Sequence, residues 1–335
     1  MSNKGHKRKR SLQDSPVDLT IMQKARTCLV SLQQELEGIV ETSDEITAIM
    51  TQVDALQAIL GTAKKPKLGF SSVTTNDLIN IGIQRKILHF NAPHLKKLLT
   101  DGSAAPDQIV QQLCLRISRI YRHVSMRFEP GSRMILDAVL LAVAEICADG
   151  VAKLPVAILP EMRIATGEGV LLKNPTTAFE MWFTGNVDYG MCTYEEEDVR
   201  KDRVLNADID GVARFAKSRI FLIEGKRVQD KPLYDFMSEA ISQAAALCEV
   251  TRTTAVRFCL TDGRKWIFSV FVKDDHGNRV CYEGSVLAIL DLELDPEGIH
   301  LAWEHSVHRI VELVYHWLVA EADPLTDTLY QLKDN

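Results

Sequence analysis

The spacing of apolar residues divides the chain into a helical front and a mixed region behind it. From residue 17 to 60, apolar side chains recur about every 3.6 residues with a break at Gly38. This pattern predicts a helical hairpin or a two-stranded coiled segment. Residues 75–100 and 106–128 predict two more helices, which a DGSAAPD turn separates. We therefore expect an α-helical N-terminal region over residues 17–128.

Helix-like and strand-like segments alternate from residue 129 onwards. Their order of helix, three strands, helix and further strands indicates an α/β (α+β) core across residues 129–325. The segments are a helix at 132–148, strands at 159–165, 178–193 and 219–227, a helix at 233–250, strands at 254–260, 265–273 and 279–283, and a helix at 300–320.

The composition is that of an ordinary globular protein, with 46% hydrophobic and 25% charged residues. The formal net charge of −6 argues against a dedicated nucleic-acid coat protein more than against an enzyme, because a local positive surface and a bound cation can still hold a polyanion. No stretch of about 18 uncharged apolar residues occurs, so we expect no membrane span. The seven scattered cysteines never form a C-x-x-C pair, which indicates a reduced, intracellular protein.

The first sixteen residues are polar and basic, which predicts a disordered tail. The cluster Lys7–Arg10 within this tail is typical of nuclear import or of a DNA-binding arm, although a solvated tail has the same composition. We therefore expect an intracellular protein and weigh a nuclear location.

The strongest chemical signal lies where a predicted strand ends. The run Ile220–Ile223 is a buried-strand pattern, and Glu224 and Lys226 follow it two residues apart. Alternate residues of a strand point to the same face, so a carboxylate and an ammonium emerge side by side. Gly225 between them allows a backbone or a ligand to approach closely.

A second acid lies in the preceding strand. Asp188 stands inside an apolar and aromatic run, where an unpaired carboxylate is costly. If the two strands are neighbours, Asp188 approaches Glu224, and a divalent cation removes the repulsion between them. Ligation by oxygen alone favours Mg²⁺ or Mn²⁺ over zinc. The alternative is a salt-bridged sheet end in which Lys226 neutralises both acids without a metal.

This order of elements resembles the PD-(D/E)XK, or restriction-endonuclease-like, nuclease superfamily. The resemblance rests on Asp188 in one strand, Glu-x-Lys at 224–226 at the end of the next, Gln243 on the following helix, and the Thr261-Asp-Gly turn between two apolar strands. It extends over about residues 130–285, and is nearest to fungal Crinkler-like and transposon-associated proteins. It implies a central mixed sheet flanked by helices.

The resemblance also implies roles for these residues. Asp188 and Glu224 would hold Mg²⁺ or Mn²⁺, helped by an acid of the 132–148 helix, for which Glu145 is favoured over Asp137. Lys226 would orient or deprotonate the attacking water, and Gln243 would support it. The implied activity is metal-dependent cleavage of nucleic acid, with DNA favoured over RNA. The 36 positions between Asp188 and Glu224 depart from this pattern, because they require a long loop that acts as a lid or is an insertion.

Two other readings stay open. A catalytically inactive protein of the same fold would act as an interaction module, with residues 17–60 binding a protein partner or a second copy of the chain. Arg116, Arg119, His123 and Arg127 fall on one face of a predicted helix, which fits either phosphate contacts or a solvated surface. His305 and His308 lack the spacing of a zinc motif.

Overall fold

The computed structural model describes most of the chain after residue 66. The described residues run from 67 to 333, with gaps at 101–102, 151–152, 166–167, 196–200, 207–208, 217–219, 228–230, 290–298 and 321–322, and they include positions 27, 29, 30, 32, 51 and 53. The tail predicted at residues 1–16 lies outside the described residues. Of the helical segment predicted at 17–60, only those six positions are described, and they are helical.

The fold is mixed α/β and alternates helices with strands along the chain. The strands are β1 (Lys67–Gly69), β2 (Ile83–Phe90), β3 (Val156–Arg163), β4 (Val170–Lys173), β5 (Glu180–Thr184), β6 (Asn186–Thr193), β7 (Ile220–Gly225), β8 (Ala255–Thr261), β9 (Lys265–Lys273), β10 (Arg279–Glu283), β11 (Leu287–Ala288) and β12 (Tyr330–Lys333). The helices are α1 (Thr75–Asn80), α2 (Ala92–Thr100), α3 (Asp107–His123), α4 (Glu129–Asp149), α5 (Lys201–Leu205), α6 (Ile209–Phe215), α7 (Met237–Thr251) and α8 (Ile299–Val319).

A large mixed sheet forms the centre of the molecule. Its strands lie in the order β12-β2-β10-β9-β8-β7-β6-β3, and β11 pairs with β9. Strands β3, β6 and β7 form an antiparallel meander, whereas β7 and β8 are parallel because α7 connects them across one face. A separate sheet of three strands has the order β1-β5-β4.

Helices cover both faces of the large sheet, as the sequence predicted. On one face, α3, α4 and α8 pack around a core that includes Val139, Phe221 and Trp317. On the other face, α7 packs with the small sheet around a core that includes Phe183, Leu222 and Leu247. Helices α4 and α7 are apolar around most of their circumference, because each lies between the sheet and further elements. No described helix is both long and apolar enough to cross a membrane.

The prediction of one helix over residues 75–100 is wrong. The structure places α1, β2 and α2 there, and the short strand β1 lies a few residues before them. Strand β2 pairs in parallel with β10 and antiparallel with β12, so its backbone is satisfied by residues distant in sequence. Tertiary pairing has overridden local propensity here. The large sheet consequently includes residues from before position 129.

The predicted strand at 178–193 is two strands rather than one. Gly185 separates β5 from β6 and adopts a φ of 137°, a conformation that residues with a side chain rarely adopt. Its backbone conformation allows the chain to pass from the small sheet into the large one. This switch positions β6, which carries Asp188, against β7.

Candidate active site

The two acids predicted from the sequence lie opposite each other on neighbouring strands. Strands β6 and β7 pair antiparallel, with Tyr189 opposite Ile223, so the next pair along the ladder is Asp188 and Glu224. Both residues are buried, at 9% and 4% exposure. The pair lies where β7 ends, at the edge that α4 and α7 flank.

Gly225 allows Asp188 to reach the neighbouring backbone. The Gly225 N–H donates a hydrogen bond of 2.7 Å to Oδ2 of Asp188. A Cβ at Gly225 would lie 3.2 Å from that oxygen and 3.4 Å from Cδ2 of Leu136. The position between Glu224 and Lys226 therefore requires a residue without a side chain if this contact is to form.

Lys226 and Gln243 both bind the carboxylate of Glu224. Nζ of Lys226 lies 2.6 Å from Oε1 of Glu224, and Nε2 of Gln243 donates to Oε2 at 2.7 Å. Nζ of Lys226 also lies 2.6 Å from Oε2 of Glu239, a residue in the first turn of α7. The side chain of Lys226 is only 15% exposed, so one buried ammonium neutralises two acids.

Arg133 of helix α4 binds the second acid. Its Nη2 forms an ion pair with Oδ1 of Asp188 and lies 2.9 Å from Oε1 of Glu129, one helical turn earlier. Its Nη1 lies 2.6 Å from Oε1 of Glu161. In β3, Pro160 pairs with Tyr189 and Met162 with Val187, so Glu161 lies between these pairs and shares Arg133 with Asp188.

Burial and nearby charges act on the carboxyl groups of Asp188 and Glu224. Burial and the charge of Glu224 raise the pKa of Asp188, and Arg133 opposes that rise. Burial also raises the pKa of Glu224, against the opposing effect of Lys226. For Lys226, burial lowers the pKa, but Glu224 and Glu239 reverse this and the net direction is upward. Lys226 is therefore a cation at neutral pH, and in this arrangement it donates hydrogen bonds and does not accept a proton.

The donor set fits a hard divalent cation that keeps several water ligands. Among the described residues, no group of three or more His, Cys, Asp or Glu side chains is arranged to hold a metal ion. Mg²⁺, however, commonly uses only one or two carboxylates and completes its shell with water and phosphate oxygens. Asp188 and Glu224 supply two such carboxylates. The buried Oε1 of Gln243, which has no hydrogen-bond partner in the described part of the chain, is a further oxygen beside them.

Glu145 does not join this cluster. It is exposed and lines a groove between α3 and α4 with Arg116 and Arg119. It lies nine residues beyond Leu136, the α4 residue nearest Gly225, which corresponds to about 13 Å along a helix. The expectation that the C-terminal end of this helix faces the strand ends is wrong, because the N-terminal half of α4 packs there.

The alternative acid of this helix, Asp137, lies nearer but points elsewhere. Its Oδ1 accepts a hydrogen bond of 2.6 Å from the hydroxyl of Tyr189, the residue after Asp188. Asp137 therefore fixes the strand beside the site and has no contact of its own with the acid pair.

Sequence reasoning missed Arg133 and Glu239, although a signal for each existed. Glu239 precedes Gln243 by four residues, so the two share a face of α7. Arg133 likewise precedes Asp137 by four residues on α4. The family resemblance implied only a third acid on α4, whereas the structure has a cation of this helix paired with Asp188.

The long connection between Asp188 and Glu224 contains two short helices. Helices α5 and α6 lie in it, and Val204, Ile209 and Val212 are buried in the core on the α7 side. The described part of this connection is therefore a packed insertion. The acidic stretch at 196–198 lies outside the described residues.

The candidate phosphate-contacting residues on α3 are exposed. Arg116, Arg119 and His123 lie on the outer surface of the helix, and Arg127 follows it. Exposure agrees with a solvated face and with a phosphate-binding surface equally. His308 lies 2.9 Å from the hydroxyl of Ser103 and near the buried Glu312, so it belongs to a structural contact of α8.

Comparison with known proteins leaves the site to be judged on its own geometry. No protein-family model matches the chain, and no curated protein matches it.

Proposed function

We propose that this protein hydrolyses phosphodiester bonds of nucleic acid, DNA in preference to RNA, in a reaction that depends on Mg²⁺ or Mn²⁺. The observation that carries the proposal is the convergence of Asp188 and Glu224 on adjacent strands, with Lys226 and Gln243 on the same carboxylate. The order of strand, Glu-x-Lys strand, helix and apolar strand accords with the resemblance to PD-(D/E)XK nucleases.

Each residue of the site has a role that follows from its chemistry. Asp188 and Glu224 would hold the cation, which would neutralise phosphate charge and lower the pKa of a water molecule. Lys226 remains protonated between Glu224 and Glu239, so it orients the attacking water or stabilises charge on the phosphate by donating hydrogen bonds. Gln243 fixes the orientation of Glu224 through Nε2 and directs Oε1 towards a ligand.

Surface features outside the site belong to the same proposal. The exposed Arg116 and Arg119 offer positive charge for a phosphate backbone. Nuclear import through Lys7–Arg10, and pairing with a second copy or a protein partner through residues 17–60, concern parts of the chain that are mostly outside the described residues.

The test is cleavage of supercoiled plasmid with Mg²⁺ or Mn²⁺ and with chelator. Asp188→Asn and Glu224→Gln keep the size of each side chain and remove its charge. We expect each variant to lose activity by ~100-fold or more, because substitutions of residues that only support metal ligands already reduce activity by up to about that factor. Glu145→Gln is the matched control, since Glu145 is an exposed carboxylate of α4 outside the cluster. It should keep wild-type activity.

A second candidate function follows from the ion pairs. Both acids already have a cation partner, Arg133 and Lys226, and such a sheet end is complete without a metal. A protein of this kind would bind nucleic acid or a protein without cutting. Plasmid binding with no cleavage at any divalent cation, and no measurable Mn²⁺ binding, would establish this alternative and exclude the nuclease.

A further inference from the structure

We propose that Arg133 is the residue that sets metal affinity, because it competes with the divalent cation for Asp188; this inference rests on the proposed function. The guanidinium is the positive charge nearest Asp188 in the structure. It arrives from α4, the layer opposite Gln243, and leaves the other acid to Lys226.

The two oxygens of Asp188 have different partners. Oδ2 accepts from the backbone of Gly225, and Oδ1 accepts from Arg133. A cation shared with Glu224 takes an oxygen of Asp188 and places two positive charges beside the guanidinium. The cation and Arg133 repel each other. Binding of the cation to Asp188 therefore weakens the ion pair with Arg133, and the ion pair weakens binding of the cation.

Arg133 has two other carboxylates within reach when it leaves Asp188. Nη2 already lies 2.9 Å from Glu129 and Nη1 lies 2.6 Å from Glu161. Both of these acids are solvent-exposed, with side-chain exposures of 44% and 57%, whereas that of Asp188 is 11%. The guanidinium can therefore move outward to exposed partners without losing all its ion pairs.

The present position of Arg133 is itself imperfect. Its Nε is buried and has no hydrogen-bond partner among the described residues. A buried unsatisfied donor is unfavourable, so the inward position is retained because it neutralises Asp188. Once a cation takes over that neutralisation, the reason for the inward position disappears.

The first experiment measures Mn²⁺ binding by calorimetry and melting temperature with and without Mg²⁺. Arg133→Gln removes the charge and keeps a polar, though shorter, side chain. We expect it to bind Mn²⁺ ~10-fold more tightly than wild type, in the lower part of the usual range for coupled sites. Its melting temperature should fall without metal and recover more on adding Mg²⁺ than that of wild type.

Two variants separate competition from a general effect of charge or shape. Arg85→Gln is the matched control. Arg85 lies on β2, its side chain is about as exposed as that of Arg133, and it forms an ion pair with Glu283. It should leave Mn²⁺ affinity unchanged. Arg133→Lys keeps the charge, so its affinity should stay within about threefold of wild type. A structural role for the guanidinium shape alone predicts that both Arg133 variants change affinity alike, and that result overturns the inference.

A measurement on the wild-type protein covers the case in which Arg133→Gln does not fold. In protein labelled on arginine, the Nε–H resonance of Arg133, assigned by its absence in Arg133→Lys, should shift when Mg²⁺ is added. No shift at saturating metal overturns the inference and leaves the nuclease proposal intact. Absence of metal binding by wild type and by every variant overturns the proposed function and the inference together.

Discussion

At the scale of single residues, Gly225 lets the carboxylate of Asp188 approach because it has no side chain. The Gly225 N–H binds Asp188, and the space around Gly225 is filled by that carboxylate and by Leu136. The sequence alone indicated that a glycine between Glu224 and Lys226 permits a close approach. It did not indicate that the approaching group is the partner acid.

Gly225→Ala should therefore destabilise the protein. The added Cβ would lie 3.2 Å from Oδ2 of Asp188 and 3.4 Å from Leu136, and overpacking of this kind costs ~1–2 kcal/mol. Denaturant unfolding measures the loss. Gly69→Ala is the control, because its Cβ would meet only Thr184 O, at 3.9 Å, and should change the unfolding free energy by less than about 0.5 kcal/mol. Equal effects at the two glycines would contradict the argument.

Lys226 has a structural role that activity measurements must allow for. Lys226→Ala leaves Glu224 and Glu239 buried beside each other without a counter-ion, so we expect a loss of ~3 kcal/mol in unfolding free energy at neutral pH. Lys273→Ala is the comparison: that lysine is twice as exposed, and its partner Glu249 keeps a second cation, Arg279. Its loss should be below about 1 kcal/mol. Lys226→Arg, which retains the charge, is accordingly the better variant for testing catalysis.

At the scale of elements, periodicity predicted best where the apolar pattern is clear. Helices α4, α7 and α8 and strands β8, β9 and β10 lie within a few residues of their predicted positions. Strand β2 was missed, because its polar and apolar residues do not alternate cleanly and its pairing is with strands distant in sequence. Helix α4 was found, but its orientation was not, and so Glu145 was favoured over the end that carries Arg133.

A buried glutamate on α8 makes stability depend on pH. Burial raises the pKa of Glu312, but hydrogen bonds involving His308, Ser103 and the Ala105 N–H outweigh it and lower the pKa below 4.5. A lowered folded-state pKa contributes stability above pH 4.5, and that contribution disappears as pH falls through the folded value.

Glu312→Gln should consequently lose ~2 kcal/mol of unfolding free energy at pH 7 and progressively less in more acid solution. Denaturant unfolding of both proteins from pH 7 to pH 3 measures the difference. A difference that is constant over this range would show that the carboxylate charge is not what holds residues 103–105 to α8.

At the scale of the whole molecule, the large sheet contains strands from both sides of the boundary predicted near residue 129. The change in pattern near residue 129 predicted a boundary there, yet β2 completes the sheet between β10 and β12. The α/β class followed from local patterns, whereas the pairing of β6 with β7 was only assumed and is found in the structure. The position of β2 did not, since strand order depends on packing between distant elements.

A chain that begins at residue 129 should therefore fail to fold to a compact state. It lacks β2, so β10 and β12 lose their shared neighbour, and Leu88 is absent from the core. Size-exclusion chromatography and limited proteolysis measure the outcome, with a chain that begins at residue 17 as the control. Compact, protease-resistant behaviour of the shorter chain would disprove the role assigned to β2.

The packed connection between β6 and β7 also affects when the site exists during folding. Asp188 and Glu224 are separated by 36 positions, and closing a loop of that length costs entropy that only strand pairing offsets. The pairing of β7 with β8 brings together Leu222 and Phe258, which are also 36 positions apart, so neither pairing is the more local one. The glutamate and the lysine lie at the end of one strand and stay together whatever the order of assembly, whereas the aspartate joins them only when β6 has paired with β7.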